Sequence, residues 1–377
     1  MTPTIDGDDP QAPPRTRRPL SRPVRWAAAV GAVALVAGLT WARTASPPPP
    51  PPSLAAALEG TLVYASPGDD GATGRLWFVN VAKGTAIEGP RTVLPDEIVP
   101  SGPGGSWIGV RAGGTAYVFH KLSPSARPDL LAEGALVAWV PGGSAVYLVT
   151  RDPSRQDCPT LHISFVNAQN HGDADLYDRM TCAFPDGIGV DGLTRPFVSL
   201  DGPGERGVYE LGYKTLHRVV PDYTLLGVSP LGDMLVGPRV TVPTGPADGA
   251  SPILRTLLVW KGVGGPLVIG TPRNDLRAER FLAWSKDGHE AAILGTLGGT
   301  RAVWLIEVTP GTGRERPRRV GPALAPQIDS VGATFAGDEL FMTAAGVLYA
   351  SSGHGYREVA LPKGAPPPSG PILWLDR

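Results

Sequence analysis

Ala283-Trp284-Ser285-Lys286-Asp287-Gly288 decides the fold, because it returns in altered form along the chain. It is an aromatic residue closing an apolar strand, then a polar turn ending in Asp-Gly. A second apolar strand, Glu290 to Thr296, follows. The phrase recurs as Ala138-Trp139-Val140-Pro141-Gly142-Gly143, as Ala183-Phe184-Pro185-Asp186-Gly187 and as Gly227-Val228-Ser229-Pro230-Leu231-Gly232. It recurs again as Thr334-Phe335-Ala336-Gly337-Asp338, and more weakly as Ile98-Val99-Pro100 ahead of Gly104-Gly105. A last copy, Leu373-Trp374-Leu375-Asp376, stands at the end of the sequence. The anchors Val99, Trp139, Phe184, Val228, Trp284, Phe335 and Trp374 are spaced by about 40 to 56 residues, the period of propeller blades.

Each unit reads as four short strands, because β-branched and aromatic runs are broken by Gly, Pro and Asp. In the unit that starts with Arg280 these are Arg280 to Ser285, Glu290 to Thr296, Arg301 to Val308 and Pro317 to Val320. The first unit lacks a first strand: Leu62-Val63-Tyr64-Ala65-Ser66 already has the second-strand pattern. Ile372 to Leu375 is a first strand without a unit. Joining them completes a blade and removes two exposed sheet edges. The expected fold is all-β, a seven-bladed β-propeller. Six blades is the alternative, because the unit from Phe184 to Val220 is poorly formed. The anchors are expected to pack between blades rather than to stack on a ligand, since large aromatics dominate core burial.

The pattern resembles the TolB-like, WD-repeat-like β-propellers, whose blades read aromatic-Ser-Pro-Asp-Gly and then two strands. Ala283 to Gly288 is the nearest match; Gly227 to Gly232 has the Ser-Pro and Phe184 to Gly187 the Pro-Asp-Gly. The resemblance covers roughly residues 61–377 and implies a propeller fold.

The remaining sequence divides into three parts. Residues 1–25 are polar and Pro-rich, too poor in apolar side chains to offset the entropy of ordering, and are expected to be a disordered cytoplasmic tail. Residues 26–42, Trp26 to Ala42, form an apolar run of roughly 25 Å as a helix, near the short limit for a transmembrane span. Trp26 and Trp41 bracket it as interfacial aromatics, and Arg15, Arg17, Arg18, Arg22 and Arg25 precede it. The positive-inside bias then puts the N-terminus in the cytoplasm and the domain at 60–377 outside the cell membrane. A cleavable secretory signal ending at Thr40-Trp41-Ala42 is the competing reading. Residues 43–59 are a linker in which Pro47 to Pro52 favour polyproline II, a semi-rigid spacer.

Cys158 and Cys182 are the only cysteines. In an exported protein an even count favours a disulfide. Net charge is −1, so no general attraction for nucleic acid is expected. Gly187-Ile188-Gly189-Val190-Asp191-Gly192 and Gly202-Pro203-Gly204-Glu205-Arg206-Gly207 have dinucleotide-binding spacing, but neither follows a strand and opens a helix. There is no nucleophile elbow, phosphate loop or His-Glu-x-x-His pair. His171, Asp173 and Asp175 read as a solvated loop, within a polar insertion at 167–175, and Asp69-Asp70-Gly71 as a hairpin turn. No catalytic residue, cofactor or metal site is expected, nor an appended hydrolase domain.

The resulting expectation is a non-enzymatic, membrane-anchored extracytoplasmic module. It would bind protein, peptide or cell-wall glycan through a loop face, with Lys286, Asp287 and the 167–175 segment the first places to look. The alternative is a propeller enzyme acting on envelope glycans or a quinone-dependent substrate, which requires carboxylates converging on the central channel.

Overall fold

A computed structural model of the chain describes residues 60–101, 106–152, 158–238, 258–261, 265–268, 276–307, 317–352 and 355–375. All lie in the compact unit Pro52–Arg377. The expected tail, transmembrane span and linker at 1–59 lie outside the described residues. Among the described residues there is no helix, so none is long and apolar enough to cross a membrane.

The chain forms a β-propeller of four-stranded antiparallel sheets. In sequence order the sheets are I (61–93, completed by 369–375), II (97–133), III (136–180), IV (184–221), V (223–268), VI (277–319) and VII (331–358). Six have side chains described on all four strands. In sheet V the outer strands, Leu258–Lys261 and Gly265–Val268, are described by their backbone alone. Sheet IV, expected to be the poorly formed unit, is complete, with strands Phe184–Val190, Pro196–Asp201, Gly207–Gly212 and Thr215–Pro221.

The first strand of each sheet lines the central channel. These inner strands are Glu97–Ser101, Leu136–Trp139, Phe184–Val190, Tyr223–Val228, Arg277–Trp284, Val331–Ala336 and Ser369–Leu375. Strands within a sheet follow one another as a meander. Connections between first and second strands, and between third and fourth, therefore share one face, the lower face. Second-to-third loops and the links between sheets share the upper face.

Side chains alternate along each strand, so both faces of every sheet are apolar and each is covered by a neighbour. Val63, Ala65, Leu76 and Phe78 of sheet I pack on Ile98, Ile108 and Val110 of sheet II. Leu62, Tyr64 and Val79, on the other face, pack on Phe341, Leu348 and Ala350 of sheet VII. Ala292, Leu294, Val303 and Leu305 of sheet VI meet Val331, Leu340 and Met342 of sheet VII. Each fully buried aliphatic side chain in these layers contributes about 1.5–3 kcal/mol.

Closure is made by Ser369–Leu375, which pairs antiparallel with Thr61–Pro67, Leu62 opposite Trp374 and Tyr64 opposite Ile372. Trp374 stacks on Phe341 with ring centroids 5.3 Å apart and planes 5° from parallel. Thr334 Oγ1 accepts the Trp374 amide at 3.1 Å.

The repeated phrase builds the lower-face turn. The Ser285 amide donates to Glu290 O at 2.8 Å, and the Ser285 hydroxyl accepts the Glu290 amide at 2.8 Å. Gly288, at φ 72°, closes the turn through its amide to Ser285 O. Ser229 makes the same pair with Asp233, and Gly232 at φ 87° plays the part of Gly288.

In sheet IV these roles fall to Asp191 and Arg195. The Asp191 amide donates to Arg195 O at 3.1 Å, and Asp191 Oδ1 accepts the Arg195 amide at 2.8 Å. This corrects one anchor. Phe184 opens its strand instead of closing it and is 59% exposed, because Ala183 to Gly187 is the start of the inner strand and not its turn. Val190, just before Asp191, holds the equivalent place. Trp139 and Val228 are buried, while Val99, Trp284, Phe335 and Trp374 are half-buried against the inter-sheet clusters. A second correction concerns 167–175. It is no insertion but the end of strand Thr160–Asn167, a tight turn in which Asn167 Oδ1 accepts the Gln169 amide, and the start of Asp173–Met180.

Two outcomes are expected. Trp374→Ala removes the closing stack and should lower stability by about 3 kcal/mol, read as the shift of a urea midpoint. Thr194 sits at φ 65° where the sister turns carry glycine. A β-branched residue is strained there, so Thr194→Gly should raise stability by about 1 kcal/mol in the same assay.

Candidate functional site

Two inner strands carry a β-bulge that turns a carboxylate out of the ladder. In sheet IV the pairing jumps from Pro185–Leu200 to Gly187–Ser199, leaving Asp186 as the extra residue. In sheet VI it jumps from Ala278–Gly295 to Arg280–Leu294, leaving Glu279. A bulge re-aims the side chain it frees. Asp186 accepts the hydroxyls of Ser199 and, from the next inner strand, Thr224, both at 2.6 Å. Glu279 accepts Thr296 Oγ1 at 3.1 Å and Arg301 Nε at 2.7 Å.

Both carboxylates stand at the upper end of their strands. Beside Glu279, the Arg280 guanidinium donates to the backbone oxygens of Asp329 and Val331. Arg301 donates to Ala325 O and Ile328 O at 3.0 and 2.8 Å and reaches Asp329 at 3.4 Å. Burial pulls the Arg280 pKa down from its ordinary value, and Asp96 leads the charges that resist this. Asp96 belongs to the entry of sheet II, just before strand Glu97–Ser101. Asp96 itself accepts the Gly113 amide at 2.6 Å, while Glu97 pairs with Arg111 at 3.0 Å.

On the sheet IV side the upper face adds an aromatic surface. The Arg151 guanidinium lies 3.9 Å from the centroid of the exposed Phe184 ring. Cys158 and Cys182 form a disulfide there, pinning the loop before Thr160–Asn167 to the link that follows Asp173–Met180. Arg179 pairs with Glu205 at 3.0 Å, and Glu205 also takes the Thr181 hydroxyl. Next to it lies a notch of about 260 Å³ lined by Gly202, Pro203, Gly204, Arg206, Arg218 and Asp222.

The upper mouth thus combines carboxylate acceptors, guanidinium donors and one open aromatic face. That set suits a hydroxyl-rich polar molecule, which needs acceptors and donors for its hydroxyls and an apolar surface for its C–H face. Residues Lys286 and Asp287, expected near a ligand, lie on the opposite face. There Asp287 is engaged by the Ser285 hydroxyl and the His289 amide, which hold its carboxyl below the usual range. Among the described residues no group of three or more His, Cys, Asp or Glu is placed to hold a metal ion. Both Gly-x-Gly-x-x-Gly stretches, 187–192 and 202–207, run from strand into turn or from turn into strand.

Sequence reasoning did not single out Asp96, Glu97, Glu279, Arg280 or Arg301, and took Asp186 for a turn residue. A signal existed: Arg277-Ala278-Glu279-Arg280 puts three charges at the start of an inner strand, where a buried ring offers them only one another or the channel.

No protein-family model matches the chain, and no curated protein sequence matches it. Solved structures share its fold. A candidate 6-phosphogluconolactonase from Bacteroides fragilis is similar with a TM-score of 0.51 at 11% identity, over 87% of this chain and 99% of that one. The β-propeller domain of the trilobed protease from Pyrococcus furiosus is similar with a TM-score of 0.50 at 11% identity, over 81% of this chain and 95% of that one. Against the larger tricorn protease the match has a TM-score of 0.41 at 13% identity, over 73% of this chain and 27% of that one. At these identities the likeness is one of fold. It nevertheless corrects the expectation that the chain is not an enzyme, since a neighbour that shares the fold over nearly its whole length carries an enzyme's name. Missing linear motifs do not exclude catalysis on a fold that gathers its residues from separate blades.

The disulfide yields a further expectation. It closes a loop of sequence separation 24 at the aromatic edge of the site. Replacing both cysteines by serine should cost about 3 kcal/mol of stability in the chain-entropy account, measured by denaturant unfolding.

Proposed function

We propose that the protein is an exported β-propeller that engages a cell-wall glycan at the upper mouth of its channel. The segment at 26–42 would anchor it to the cell membrane with the N-terminus in the cytoplasm, and 43–59 would space the propeller from the bilayer. The charge bias around 26–42 supports this placement, as does the disulfide, which suits an oxidising compartment. The observation that carries the ligand class is the exposed Phe184 ring beside the bulge carboxylate of Asp186, with the Arg206 and Arg218 notch on the same face. A pyranose offers the matching pair, a C–H face for the ring and hydroxyls for the charged groups.

A second reading, a propeller enzyme acting on that glycan, is favoured by the placement of Asp186 and Glu279. Glycoside hydrolysis uses two carboxylates, and Asp186 and Glu279 are carboxylates freed by bulges on different inner strands. One experiment addresses both. Soluble peptidoglycan fragments are titrated calorimetrically into the protein, and the same mixtures are followed by mass spectrometry for cleaved products. Phe184→Ala and Asp186→Asn should each weaken binding at least tenfold, about 1.4 kcal/mol, in protein that still unfolds cooperatively. Products that vanish in both Asp186→Asn and Glu279→Gln assign turnover to the pair. Unchanged affinity in both binding variants would remove the upper mouth from consideration.

A further inference from the structure

The lower face has a different chemistry. Leu193 and Leu231, at the tips of the turns after the inner strands of sheets IV and V, are 74% and 60% exposed. Tyr213, in the third-to-fourth-strand turn of sheet IV, is 83% exposed, and the Lys214 ammonium lies 5.6 Å from the centre of its ring. The turns carrying Leu193 and Leu231 are joined, because the Gly192 amide donates to Pro230 O at 3.0 Å. Leu231 also reaches the next turn, where a Cβ at Gly288 would come within 3.0 Å of its Cγ. Leu193 and Leu231 are therefore held outward on turns that brace one another.

Charge follows the same division. Of the six lysines in the chain, Lys83, Lys121, Lys214 and Lys286 all fall in lower-face turns. Of the acids in these turns, Asp191 is paired with Arg195 at 2.7 Å, while Asp233 shares the turn of Leu231 and Asp287 accepts the Ser285 hydroxyl beside Lys286. A lysine extends a long apolar stem with a charged head that can reach lipid phosphates.

The chain also enters on this side. Thr61 begins a second strand, and second strands run from the lower face to the upper one. The Gly60 amide is tied to Leu375 O there at 3.1 Å.

We infer that the lower face rests on an anionic lipid bilayer, with Leu193, Tyr213 and Leu231 dipping into the headgroup boundary and the lysines contacting lipid phosphates. This inference rests on the anchor assigned under the proposed function, which would hold the face within reach of a membrane. Short apolar tips interspersed with lysine fit a fluid interface, where partial insertion of each side chain adds binding and no complementary relief is needed. The upper mouth is left open to the cell wall.

The test uses the full chain reconstituted in vesicles of phosphatidylcholine and phosphatidylglycerol, with amide exchange read by mass spectrometry. Exchange across 191–195, 213–214 and 229–233 should slow roughly tenfold relative to the protein in detergent, while the upper-face turns at 298–299 and 345–346 stay unchanged. The double variant Leu193→Asp, Leu231→Asp should lose this protection, and Lys214→Glu should weaken it in phosphatidylglycerol vesicles only. Protein that survives an alkaline wash of the vesicles yet shows no slowing overturns the docking and leaves the anchor standing. Protein released by the wash but still slowed beforehand supports docking and removes the anchor. Slowing in native membranes but not in pure lipid overturns the inference in favour of a protein partner.

Discussion

The structure depends on the need of each sheet for two covers. Leu62 and Tyr64 point to one side of sheet I, and Val63 and Ala65 to the other; all four are fully buried. A row of such sheets would leave an apolar face bare at each end. Bending the row into a ring leaves none, and the ring is sealed by hydrogen bonds between the first described strand and the last. The inter-sheet clusters, the small Gly109 beneath the Trp139 ring and the stack of Trp374 on Phe341 all follow from that closure.

Much of this was legible in the sequence because local and global signals agree. A turn that must pair Ser285 with Glu290 and close through a glycine at positive φ leaves a fixed phrase. Legibility failed where different residues do the same physical work. In sheet IV a carboxylate, Asp191, takes the place of the serine, and Thr194 takes the place of the glycine, so the true turn is silent. A few residues earlier, Phe184-Pro185-Asp186-Gly187 has the right letters in the wrong place. The sequence likewise gives no warning that Asn167 folds its polar neighbours into a tight hairpin end rather than a projecting loop.

The site was far less legible than the fold. Its members come from the entries of separate sheets, IV and VI, far apart in sequence. A bulge cannot be read from residue type, because it is a mismatch in count between two strands. The cysteine pair could be read, since its logic is compositional and its partners are two. The exclusion of enzymatic activity failed for the reason the mouth was missed: both relied on motifs contiguous in sequence, and a propeller assembles its chemistry across blades.

The way the ends meet has a mechanical consequence. Thr61 opens a strand that has neighbours on both sides, Ser369–Leu375 inward and Thr73–Asn80 outward. A pull transmitted from the N-terminal side therefore loads two ladders in parallel. Neither can be unzipped one bond at a time from a free margin. Traction on the domain from its N-terminal side would be resisted at Thr61–Pro67, and the weaker points would be the outermost strands instead.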